Sequence, residues 1–94
     1  MSIRLTVQLQ IQPGKNADFE AAASAGIARV KAEDQGCEMY DLFRSIDDDS
    51  RYVMVESWAS QENLDAHGKS PAMAAMAKIG PSLAGAPVMH TYGD

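Results

Sequence analysis

The sequence predicts an α+β domain with the element order β-α-β-β-α-β. Three observations predict it. The chain opens on ten residues of strict apolar–polar alternation, switches at once to helical spacing, and then runs through a second set of strand, strand, helix and strand. Ninety-four residues are the length of one domain, taken as 1–94.

Ile3, Leu5, Val7, Leu9 and Ile11 alternate with Arg4, Thr6, Gln8, Gln10 and Gln12, so the first strand has one fully apolar face that must be covered. Pro13-Gly14 ends it as a turn. From about Asn16 the period changes. Phe19, Ala23, Ile27 and Val30 fall on one helical stripe, with Ala22 and Gly26 beside it, and Gln35-Gly36 closes the helix. Cys37 to Ser45 reads as the second strand, with Tyr40, Leu42 and Arg44 on one parity and Cys37, Met39, Asp41 and Phe43 on the other. Both faces carry apolar residues, so each is expected to meet something. Residues 46–51 form a polar hairpin loop, and Tyr52 to Trp58 is a third strand rich in β-formers.

Ser60 is a good N-cap for a helix carrying Leu64 and His67. Gly68 interrupts that helix, and Ser70-Pro71 restarts it with serine as cap and proline at the first helical position. Met73, Met76 and Ile79 follow at helical spacing, Gly80-Pro81 stops the helix, residues 82–86 are a loop or short turn, and Val88 to Tyr92 is a last short strand. This is the split βαβ, ferredoxin-like plan. Two helices on one face of a single sheet leave the other face bare and partly apolar. A chain this short has a thin core, so sheet-on-sheet packing of two copies into a dimeric α/β barrel is expected.

Composition excludes several functions. The net charge is −5 and the eight Lys and Arg are scattered, so no phosphate-tracking surface for nucleic acid forms and anionic membranes are disfavoured. No apolar leader or span-length run is visible, and the single Cys37 precludes an internal disulfide or a cysteine-based zinc site; a cytoplasmic protein is expected. No Walker loop, dinucleotide-binding glycine motif or nucleophile elbow is present, so no cofactor is expected.

Six residues stand out as candidates for chemistry. His67 can take a proton near neutral pH, or can serve a structural hydrogen-bond network. Glu56 lies two residues before Trp58 and on the same strand face; buried, it needs a partner, for which His67 is the natural choice, or an arginine across the dimer. Trp58 can stack on a flat substrate or simply fill the core. Tyr40 offers a phenol, and Met54 and Met73 an adaptable apolar lining. A metal site from Glu56, His67 and His90 has no recognised ligand spacing, so no metal is expected, and Asp47-Asp48-Asp49 reads as a solvated loop.

The run from Tyr52 to Pro71 holds Glu56-x-Trp58, a polar cap at Ser60, Leu64-x-x-His67 and Ser70-Pro71. With the Pro13-Gly14-Lys15 turn, the Gly36-Cys37 entry and Tyr40, it resembles the antibiotic biosynthesis monooxygenase superfamily over nearly the whole chain, in the small quinol-monooxygenase-like branch. The resemblance implies a homodimer with a cavity in each subunit and oxygenation of electron-rich aromatics by O2 alone, without metal or organic cofactor. It implies no haem: where the haem-degrading branch carries its asparagine, tryptophan and axial histidine, this chain has Val7, His67 and Ala77. Met54 replaces an asparagine of the polyketide-tailoring branch, and Ala72 a histidine found in many small relatives. The expected function is cofactor-independent oxidation of a quinol-like molecule, with His67 and Glu56 catalytic and Trp58, Met54, Met73 and Tyr40 contacting substrate. The alternatives are a small-molecule isomerase on the same fold and a non-catalytic, ligand-binding stress-response dimer.

Overall fold

A computed structural model describes residues 2–92 of the chain; the expected domain, 1–94, also takes in positions 1, 93 and 94, which lie outside the described residues. The order is β1 (Ile3–Gln10), α1 (Asn16–Glu33), β2 (Cys37–Arg44), β3 (Arg51–Trp58), α2 (Gln61–His67), α3 (Pro71–Met76), a 3₁₀ helix (Ala77–Ser82) and β4 (Val88–Tyr92). The four strands form one antiparallel sheet in the order β2-β3-β1-β4. This is the ferredoxin-like arrangement, with β1 in the interior although it comes first in the chain.

The apolar face of β1 behaves as its alternation requires. Leu5, Leu9 and Ile11 are buried, and opposite them Tyr52, Met54 and Trp58 of β3 present the same face. Phe19, Ala23, Gly26 and Val30 of α1, with Ala72 and Met76 of α3, close over it. Glycine at the crossing lets the helices touch: a Cβ on Gly26 would stand 2.8 Å from the Met76 Cα. Pro13-Gly14 turns as expected, with Gly14 at φ 78° and the Lys15 N–H closing on the Gln12 carbonyl. Both serine caps form, Ser60 Oγ accepting from the Asn63 N–H and Ser70 Oγ from the Met73 N–H.

Three expectations are corrected. The parity of β2 breaks at a bulge between Cys37 and Met39: Cys37 pairs with Trp58 and Met39 with Ser57, leaving Glu38 as the extra residue. Cys37 therefore packs on the core from the same face as Tyr40 instead of the opposite one. At the end of α1, Gly36 does take a left-handed conformation (φ 77°), but the helix has already stopped at Asp34, whose backbone is extended. Gly80-Pro81 does not stop the second helical stretch either. The α-helix ends at Met76 and the chain tightens into a 3₁₀ helix that runs through Pro81, whose fixed φ suits a helix even though its N–H is missing.

The outer sheet face carries Phe43 on β2 and Val88 and Tyr92 on β4, all about half exposed, with Val53 and Val55 of β3 between them. Among the described residues nothing covers it.

Gly26→Ala tests the helix crossing. Alanine favours a helix interior by about 0.8–1.0 kcal/mol, whereas forcing a methyl group into a packed contact costs about 1–3 kcal/mol. Urea unfolding should show a net loss of about 1 kcal/mol. A stabilised variant would show that α1 and α3 separate freely.

Candidate active site

A cavity of about 680 Å³ lies between the inner sheet face and the α2–α3 region. Leu5, Val7 and Leu9 of β1 form its floor with Met54 of β3, and Met73, Met76 and Ile79 form its roof. Pro87 and Met89 stand at the β4 side. Into this apolar space come three polar groups, from Tyr40, Glu56 and His67, with Asp65 and Lys69 also on the lining.

The strand parity that puts Glu56 and Trp58 on one face turns out to be the face toward the helices. Both are buried, and the Trp58 indole N–H donates to Glu56 Oε1 at 3.0 Å. His67 is the last residue of α2, and Leu64, one turn earlier, packs on the core and carries it inward. The imidazole stacks on the Trp58 indole, ring centroids 4.4 Å apart and planes 29° apart. Tyr40 meets it edge-on at 5.3 Å.

The hydrogen-bond partner of His67 is not Glu56, as the sequence led us to expect, but Asp34. Its Oδ2 lies 2.7 Å from His67 Nδ1, and both side chains are nearly sealed from solvent. The Ser70 hydroxyl donates to the same Oδ2 at 2.9 Å. Asp34 was missed because its partners lie more than thirty residues away in sequence. One signal pointed to it: a carboxylate at the C-terminal end of a helix faces the negative pole of the helix dipole, so it needs a donor from elsewhere.

Among the described residues, no sealed side-chain nitrogen or oxygen lacks a hydrogen-bond partner. His67 bonds only through Nδ1 and Glu56 only through Oε1. The second nitrogen of His67, Nε2, the second oxygen of Glu56 and the Tyr40 hydroxyl are therefore not sealed, and all three residues line the cavity. Burial, the largest influence, pushes the Glu56 carboxyl above its ordinary range, against the pull of the Trp58 hydrogen bond and of a charged His67. Burial and then the nearby Glu56 likewise push the Tyr40 phenol up.

Of the residues singled out from sequence, His67, Glu56, Tyr40, Met54 and Met73 line one cavity. Trp58 does not. It is fully buried behind His67 and supports the site from beneath. His90 lies on the exposed outer face, paired with Thr6. Among the described residues, no group of three or more His, Cys, Asp or Glu is gathered as a metal site. No helix among them is long and apolar enough to cross a membrane.

The fold and the cavity together define a ferredoxin-like α+β domain with a polar triad at the edge of an apolar chamber. Residues 2–79 match the family model of the antibiotic biosynthesis monooxygenases. The chain belongs to the antibiotic biosynthesis monooxygenase family. It is similar to a candidate antibiotic biosynthesis monooxygenase from Caulobacter crescentus CB15, with 38% identity and a TM-score of 0.90 over 97% of this chain and 87% of that one. A second candidate of the same description, from Bordetella bronchiseptica, is 27% identical with a TM-score of 0.85 over 99% of this chain and 96% of that one. YcnE of Bacillus subtilis (strain 168), named a candidate monooxygenase, is 26% identical over 92% of this chain and 90% of its own length.

The raised affinity of buried Glu56 for its proton gives stability a sign with pH. The folded state binds that proton more tightly than the unfolded chain does. The contribution is therefore full below the unfolded carboxyl range and is lost as pH rises through the folded value. Glu56→Gln keeps an acceptor for Trp58 and never ionises. Its urea midpoint should gain on the native protein from pH 4 to pH 8, and a difference that stays constant over that range would contradict this account.

Proposed function

We propose that this protein is a cofactor-independent monooxygenase that oxidises a quinol-like or other electron-rich aromatic small molecule with O2. One observation carries the reading: His67, fixed on three sides, turns its remaining ring nitrogen into an apolar cavity large enough for such a molecule. The names of the Caulobacter and Bacillus relatives support the reaction class.

The substrate supplies all the electrons. A hydroquinone with hydrogen on the carbon ortho to one hydroxyl loses the proton of that hydroxyl to His67 Nε2. The phenolate passes one electron to O2, and the ring radical and superoxide combine to form a C–O bond. The O–O bond then breaks as the C–H proton leaves the ring. One oxygen atom stays as the new carbonyl, and the other departs as water, taking up the proton held on His67. O2 gains four electrons and the ring loses four. The apolar walls raise the worth of each polar contact and keep bulk water from the anion. Tyr40, its phenol proton held tightly, acts as a hydrogen-bond donor to it, and the Glu56 carboxyl lies beside the same space.

One observation favours a second reading. Glu56 and His67 offer an acid and a base to the same space, which is the equipment of an isomerase that shifts protons on a hydroxy-ketone. Only the first reaction needs O2. We also propose that two copies pack through the face bearing Phe43, Val53, Val55, Val88 and Tyr92, and that the protein is cytoplasmic.

Two outcomes follow. His67→Gln keeps a donor for Asp34 but is no base, and it should lower quinol oxidation by about 10²–10⁴-fold with little change in the unfolding midpoint. Under ¹⁸O2 the native enzyme should place one labelled atom in each product; turnover that continues without O2 would replace oxygenation by isomerisation. Sedimentation equilibrium should give twice the 10.1 kDa chain mass, and a stable monomer would exclude the dimer.

A further inference from the structure

The break between α2 and α3 does something that no packing requirement explains. Gly68 ends α2 directly after His67, and Ser70 caps α3 two residues later. A continuous helix would place positions 67 and 70 one turn apart on one face, pointing the same way along the axis. The break instead brings both to a single atom, Asp34 Oδ2, at 2.7 and 2.9 Å. Ser70 Oγ is at the same time the acceptor for the Met73 N–H, so its one proton is committed to Asp34.

The imidazole has few remaining freedoms. Trp58 lies under one face, Tyr40 meets the ring edge-on, and a buried carboxylate oxygen faces Nδ1. That oxygen can only accept, so the hydrogen between them belongs to Nδ1. In the neutral ring the other nitrogen is then bare, and it is the one left for the cavity. A free imidazole has no such constraint.

We infer that Asp34, held by Ser70, is a positioning residue that locks His67 in the Nδ1–H tautomer and so keeps a bare nitrogen turned to substrate. This rests on the proposed role of His67 as the base. Asp34 touches no substrate, since it lies behind the ring. Without the carboxylate, the ring is free to carry its hydrogen on Nε2, where it would oppose proton removal. Asp34→Asn has nearly the same shape and retains a group that can donate to Nδ1 as well as accept from it, so packing is kept while the tautomer is released.

The test reads the tautomer directly and does not need turnover. Long-range ¹H–¹⁵N correlation spectra of ¹⁵N-labelled protein, recorded above the imidazole titration, distinguish a protonated from a bare ring nitrogen. Native His67 should show Nδ1 protonated and Nε2 bare. Asp34→Asn should move population to Nε2–H, and Ser70→Ala should do so to a smaller extent. With a hydroquinone as probe substrate, Asp34→Asn should lower kcat by about tenfold or more, up to the roughly 10²–10⁴-fold loss of the base itself, with KM nearly unchanged. A native His67 with hydrogen on Nε2 overturns the inference before any variant is made. So does an Asp34→Asn protein that is folded and still holds the Nδ1–H form with native kcat. If Asp34→Asn does not fold, the native spectrum and Ser70→Ala decide the matter. Absence of hydroquinone turnover in the native protein, with the tautomer behaving as stated, removes the proposed reaction and leaves the positioning role standing.

Discussion

One carboxylate oxygen joins three elements of this fold. Asp34 ends α1, His67 ends α2 and Ser70 begins α3, and all three meet at Asp34 Oδ2. Removing a single partner would leave a buried charge or a buried donor unanswered, which costs several times what an exposed pair contributes. By contrast, the Arg29–Glu33 and Lys31–Asp41 pairs are exposed and hold little. The helices could cover the sheet without the Asp34 junction. What the junction adds is a fixed orientation for one imidazole, and through it for the stack on Trp58 and the position of the Glu56 carboxyl beneath.

The surrounding cavity is of a different character. Its walls come from strand positions chosen by alternation and from helical positions chosen by period, and methionines at 54, 73, 76 and 89 supply much of the surface. Thioether chains are unbranched and polarisable, so they can follow a ligand's outline with little strain. Rigid chemistry beside an adaptable wall is a reasonable division. The proton-handling atoms must be placed to a fraction of an ångström, while the rest of the substrate needs only to be kept dry.

Most of this fold could be read directly from the chain. Alternation through Ile3 to Ile11 identified an interior strand face, the serine caps at 60 and 70 located both helix starts, and Glu56 and Trp58 had to share a direction once they were two apart on a strand. The failures are instructive because each has a non-local cause. A bulge adds one residue to a strand, and alternation alone has no way to mark which one, so Cys37 was assigned to the wrong face. Pro81 looked like a stop because proline breaks α-helices, but a 3₁₀ turn tolerates it. Asp34 escaped notice because its two partners arrive from a different helix pair. Glu56 was the better guess for His67 on sequence proximity, and it was wrong because the two bond elsewhere, Glu56 to the indole and His67 to the far carboxylate.

The position of β1 has a consequence for how the chain comes to be folded. It is the first strand made, yet it lies between β3, some fifty residues later, and β4, which begins at Val88. Neither neighbour is available when β1 leaves the ribosome. Pairings between such distant segments must first meet the entropy of closing long loops, which makes assembly of this topology slow compared with a helical bundle of equal size. Until residues 88–92 emerge, one edge of β1 stays open, so the nascent chain is made with an unpaired strand edge in reach of other chains.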